Sequence, residues 1–135
     1  MASNWFGKIE SKMITYIKYK LKEESGAPYP KLNCTTKSEN TTPTNFPTLY
    51  LHVLSPVEQA QDLENDTINS VLATVEIQVF SNQSEDEVNR IMMAAITEMK
   101  EQRWNIIMFP DPQTSNKIAS GVARFRRLVT EYDIQ

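Results

Sequence analysis

Polar and apolar positions along this chain follow two different periods. Across residues 4–24, Trp5, Ile9, Met13, Tyr16, Ile17 and Leu21 recur mostly at spacings of three and four, which places them on one face of an α-helix. Lys8, Lys12, Lys18 and Lys22 fall mostly on the other side. Gly26, followed by Pro28 and Pro30, supplies a helix stop. The lysine-rich face reads as the solvated side of a helix that covers a sheet, with a membrane-surface helix as the other reading.

Beyond this helix the period falls to two. Residues 30–37 read as a short strand and residues 39–45 as a polar loop. In residues 48–54, Leu49, Leu51 and Val53 alternate with Tyr50, His52 and Leu54, so the segment reads as a strand with two usable faces. Pro47 and Pro56 bracket it, where no ladder hydrogen bond is asked of them. Residues 57–69 form a polar, acidic connection. Val71, Ala73, Val75, Ile77 and Val79 then alternate with Leu72, Thr74, Glu76, Gln78 and Phe80. Two strands around an acidic segment predict an antiparallel hairpin with a long tip.

Ser84 and Glu87 have capping-box spacing. The Ser84 hydroxyl is placed to accept from the third helical amide, and Glu87 to reach back. Val88, Ile91, Met92, Ala95, Ile96 and Met99 trace one helical face, and Lys100 and Arg103 suit the C-terminal end. Residues 104–109 read as a strand, residues 110–116 as a turn-rich loop, and residues 118–129 as the last strand. In that last strand Ala123, Phe125 and Val129 share one parity, and Arg124 and Arg126 the other. The tail, residues 130–135, reads as loose.

The order α-β-β-β-α-β-β predicts an α+β fold. It is a two-layer sandwich, an antiparallel sheet of about four to five strands covered on one face by two helices. The expectation is a single domain over residues 1–135, with the N-terminal helix in 1–26 and the sheet in 30–129. The second helix falls at about 85–102. Composition agrees with this, at 40% hydrophobic and 23% charged residues.

Candidate chemistry is sparse. The one cysteine, Cys34, cannot form a bridge within the chain. Asn33, Asn40, Asn65 and Asn82 open Asn-x-Ser/Thr triplets, but no apolar leader segment precedes them, so the expectation is an intracellular protein with no glycans. No apolar run approaches the roughly 18 residues of a membrane helix. The one histidine, His52, lies mid-strand, and nothing in the sequence brings Cys34 to it. Asp62, Glu64 and Asp66 offer oxygens for Ca²⁺ but lack the glycine and the terminal bidentate Glu of a calcium loop. No catalytic residue, metal or cofactor is therefore expected.

Arg124-Phe125-Arg126-Arg127 is the one concentrated feature. Basic residues interleaved with an aromatic can bind single-stranded nucleic acid. Regular strand alternation turns Phe125 away from its flanking arginines, and the net charge of −3 works against a nucleic-acid surface. A plain solvated sheet face is another reading. The third pairs these arginines with Glu58, Asp62, Glu64 and Asp66, on the same subunit or a neighbour. Those seven residues are the candidate subunit-interface set.

Several segments together carry a family resemblance. They are Phe46-Pro47-Thr48-Leu49-Tyr50-Leu51-His52, then Asp62-Leu63-Glu64-Asn65 leading to Ile68-Asn69, then Val75-Glu76-Ile77-Gln78-Val79-Phe80-Ser81-Asn82, and Val122-Ala123-Arg124-Phe125-Arg126-Arg127. In order and spacing they resemble the tail terminator, or tail completion, proteins of long-tailed bacteriophages. The resemblance implies a structural virion subunit, assembled in the host bacterial cytoplasm, without an active site. About six copies would close head to tail into a ring, which needs two different complementary patches per subunit. The ring would sit at the head-proximal end of the tail, cap the tail tube protein and end its elongation. It would also present a surface to the head–tail connector, with DNA only as passing cargo in the lumen. A neighbouring connector or stopper subunit is the alternative within the same class, and a small nucleic-acid-binding module is the alternative outside it.

Overall fold

A computed structural model describes residues 5–36, 46–62 and 67–130, with the backbone alone for residues 5, 6, 55–62 and 67–69. The elements are α1 (Ile9–Lys18), β1 (Asn33–Thr35), β2 (Thr48–Asp62), β3 (Thr67–Ser81), α2 (Glu85–Glu101), β4 (Asn105–Met108), β5 (Gln113–Ser115) and β6 (Ile118–Thr130). A 3₁₀ turn, Trp5–Lys8, leads into α1, and a π turn, Tyr19–Glu23, closes it. The expected polar loop at 39–45, the acids Glu64 and Asp66, and the tail beyond Thr130 lie outside the described residues. So does the side chain of Trp5.

The alternation in residues 71–80 organises the molecule. Val71, Ala73, Val75, Ile77 and Val79 are all buried, because that face of β3 lies under both helices. β3 pairs antiparallel with β2 on one side and β6 on the other, and the sheet runs β1-β2-β3-β6-β4, with β5 also on β6. From α1 come Ile9, Met13 and Ile17, from the π turn that closes it Leu21, and from α2 the full predicted face from Val88 to Met99. Tyr16 Oη donates to Glu98 Oε2 at 2.9 Å and ties the two helices together.

The two-layer α+β sandwich is as expected, and four details differ. The sheet has six strands and is mixed, because β1 runs parallel to β2, with Asn33 opposite Thr48. Hydrophobic period reports a strand but not its direction, and a three-residue strand has little period at all. β5 was hidden in the turn-rich loop. It pairs with β6 through Asn116 and Lys117, whose φ values of 52° and 66° have the sign a two-residue type I′ hairpin turn needs. The acidic segment 57–62 is strand backbone, with Asp62 opposite Thr67, so the hairpin tip is short and its arm is long. Pro56 does not end β2. It falls where the register shifts between Leu54 and Val57, a bulge where no ladder donor is required.

Both ends of α2 are closed by local chemistry. Ser84 Oγ accepts from the Glu87 amide at 3.0 Å, as the capping box predicts. Glu87 does not reach back to the Ser84 amide. It accepts instead from Ser81 Oγ at 2.5 Å, and that hydroxyl in turn accepts from the Gln83 amide at 3.0 Å. At the other end Arg103 takes the left-handed conformation, φ 68°. Trp104 N donates to Met99 O at 3.0 Å and Arg103 N to Lys100 O at 2.9 Å, the paired bonds of a Schellman stop. This reversal drives Trp104 inward, where it is 2% exposed. Gly121 faces the start of α2: a Cβ there would stand 3.1 Å from Val88 Cγ1, so glycine permits the helix to approach β6 closely.

Two predictions follow from this packing. Phe125 is fully buried on β6 opposite Val75, so Phe125→Ala should cost about 3–5 kcal/mol in urea unfolding. Cys34 packs against the core below α1. Burial pushes its thiol up to about 11 from the ordinary 9.0, with Lys22 and Lys18 pulling the other way. The folded value lies above the unfolded one, so this contribution is full below pH 9.0 and fades as pH rises toward about 11. Cys34→Ala should flatten the alkaline loss of stability in that window. An unchanged loss would assign it to other groups.

Candidate functional site

Period two separates the arginine cluster into two environments. Arg124 and Arg126 stand exposed on the face of the sheet opposite the helices, and Phe125 between them is buried on the helix side. No aromatic platform lies between two cations there. Arg124 stands directly across from Glu76 on β3, and its Nε donates to Glu76 Oε2 at 2.9 Å. Among the described residues, the partner of Arg124 is therefore a cross-strand neighbour. A pair this exposed contributes roughly 0–1 kcal/mol. Arg126 sits opposite Thr74 on one side and Asn105 on the other and has no acidic partner among the described residues. Arg127 has the parity of Phe125 and Val129. It is half-buried and faces the helix layer.

Glu58 and Asp62 lie on the far half of β2, with Glu58 opposite Val71 and Asp62 opposite Thr67. β6 is described as far as Thr130, opposite Ser70. From there the β2–β3 hairpin arm is described out to Asp62 and Thr67. Residues 57–66 hold four acids and no lysine or arginine. The arm and the arginines thus belong to different parts of the sheet.

The sheet ends in an apolar edge. β4 pairs only with β6 among the described residues, so its outer backbone groups face no strand. Beside that edge Ile107 is 46%, Met108 38% and Phe109 67% exposed. Exposed apolar residues scattered singly are ordinary, but three in succession on an open edge form an adhesive strip. Sequence reading recognised the strand and missed its position. The available signal was the continuous apolar run at 106–109, which lacks the polar alternation of a strand with one wet face.

At the opposite edge β1 covers β2 only from Thr48 to Tyr50. Glu10 of α1 guards the next stretch: its Oε1 accepts from the Val53 amide at 3.1 Å and lies 3.0 Å from His52 Nδ1. His52 is thereby engaged by a helix carboxylate, while Cys34 lies against the core beside Leu49. The structure gives the two no shared hydrogen bond, and no cluster of three metal-ligating side chains occurs among the described residues. No helix is long and apolar enough to cross a membrane among those residues.

A cavity of about 220 Å³ opens between α1, the end of α2 and β6. Ile9, Met13, Trp104 and Val129 form its apolar wall, and Lys12, Gln102 and Arg127 its polar rim. Trp104 Nε1 is buried and meets no acceptor among the described residues. An unmet buried donor costs about 1–3 kcal/mol.

The geometry therefore offers surfaces for contact with another chain and no convergent set of reacting groups among the described side chains. No family model and no curated protein matches this chain.

Proposed function

We propose that this chain is a structural assembly subunit that closes head to tail into a ring of about six copies. It does the work of a tail terminator in a long-tailed bacteriophage. The ring caps the tail tube, ends its elongation and presents a surface to the head connector, and DNA passes through its lumen. The observation that carries this reading is the open, apolar edge of β4. A soluble monomer gains nothing from Ile107, Met108 and Phe109 in water, whereas an edge strand met by a neighbour buries them and pairs its backbone. The part-covered edge of β2 lies on the other flank of the sheet. Two unlike edges on one subunit are what a heterologous, closing contact needs.

The family itself enters through the resemblance of residues 46–129 to tail terminators. A neighbouring connector subunit would use the same surfaces. Nucleic-acid binding is the weaker alternative, because Phe125 is buried behind Arg124 and Arg126 and the net charge is −3.

Light scattering behind size exclusion, over a range of concentrations, tests the assembly. The wild-type chain should populate a discrete ring, and Phe109→Asp should shift it toward monomer. Because Phe109 is 67% exposed, the melting temperature of the variant monomer should stay within a few degrees of wild type. A wild-type chain that stays monomeric at every concentration would sink the reading. Added to polymerising tail tube protein, a terminator should arrest tube growth, and a connector subunit should not.

A further inference from the structure

We propose that Glu10 is a shutter over the receiving edge of this subunit. Its carboxylate occupies the β2 ladder position that the β4 edge of a second copy takes when the chain assembles. This rests on the head-to-tail reading above and names how its edge contact is regulated.

The two flanks of the sheet are closed differently. β4 pairs only with β6 among the described residues, and Ile107, Met108 and Phe109 stand exposed beside it. On the other flank, Pro47 O accepts from Asn33 N at 3.0 Å, and β1 pairs with β2 as far as Tyr50. Beyond β1 the Val53 amide donates to a side chain and not to a strand: Glu10 Oε1 accepts it at 3.1 Å. The same oxygen lies 3.0 Å from His52 Nδ1. A carboxylate oxygen thus stands where the carbonyl of a neighbouring strand would stand. An ionised carboxylate only accepts, so it satisfies the amide and offers nothing to the carbonyls of that edge.

The contact is built to be exchanged. The Glu10 side chain is partly exposed, and α1 is anchored without it, through Ile9, Met13 and Ile17. The carboxylate can therefore leave Val53 without moving the helix. Once released it remains in the first turn of α1, where the helix dipole favours an anion. An incoming strand brings both amides and carbonyls, so one charge-assisted bond is traded for a ladder. The β4 edge of a second copy is the matching occupant. It lies on the opposite flank from β2, so each copy gives one edge and receives on the other. Its arrival also takes Ile107, Met108 and Phe109 out of water.

The test is light scattering over concentration on full-length wild type, Glu10→Gln and Glu10→Ala, with exchange of the Val53 amide followed by NMR. Glu10→Ala should lower the concentration at which rings form by about tenfold. Glu10→Gln keeps an acceptor oxygen without the charge and should fall between. Adding Phe109→Asp to Glu10→Ala should return the chain to monomer. In that double variant the Val53 amide should exchange about tenfold faster than in the Phe109→Asp monomer, which keeps the shutter. A Glu10→Ala chain that forms rings no more readily than wild type would overturn the shutter and leave the assembly reading standing. Open-ended aggregation that Phe109→Asp does not reverse would also overturn it, because Glu10 would then only guard the edge against any strand. Wild-type and Glu10→Ala chains that both stay monomeric would overturn both.

Discussion

Every layer of this molecule depends on the side-chain alternation of β3. Its five inward residues, from Val71 to Val79, are the floor on which both helices rest. Its backbone pairs continuously with β6 from Ser70 to Ser81, and with β2 from Thr67 to Phe80 across the bulges in β2. Slipping that register by one residue would turn Glu76 and Gln78 into the core and the valines into water. Burial on one face therefore fixes the pairing of three strands at once, and α1 and α2 are positioned by the surface that results.

The junction between β3 and α2 converts this register into helix placement. Ser81, the last residue of β3, is buried and bonds to Glu87 in the first turn of α2, while Ser84 caps the helix. The helix start is thus tied to the strand end within a few residues. At its far end, the left-handed Arg103 sends Trp104 into the core and starts β4 at the sheet's border. One consequence is the apolar strip beside the β4 edge. Another is the cavity under Trp104, whose buried N–H has no acceptor among the described residues. Both features are costly in an isolated subunit.

Electrostatics are divided the same way. The open face carries its own compensation in Glu76 and Arg124, a pair internal to the sheet. Arg127, two residues from the exposed Phe125-flanking pair's centre, belongs instead to the cavity beneath the helices. Glu58 and Asp62 lie on the far half of β2, and neither β2 nor β3 holds a lysine or arginine.

By itself the sequence determined what local periodicity and capping encode. The buried faces of α1, β3, α2 and β6 were legible residue by residue, because burial on one side imposes a period of 3.6 or two. The Ser84 cap was legible because its chemistry is local. The direction of β1, the existence of β5, the passage of β2 through Pro56 and the edge position of β4 were decided only by tertiary structure. Each depends on which strand lies alongside, and that is set by contacts far apart in the chain. For the same reason the four-residue arginine motif read as one feature along the chain. The fold split it between two faces, since neighbouring residues on a strand point in opposite directions.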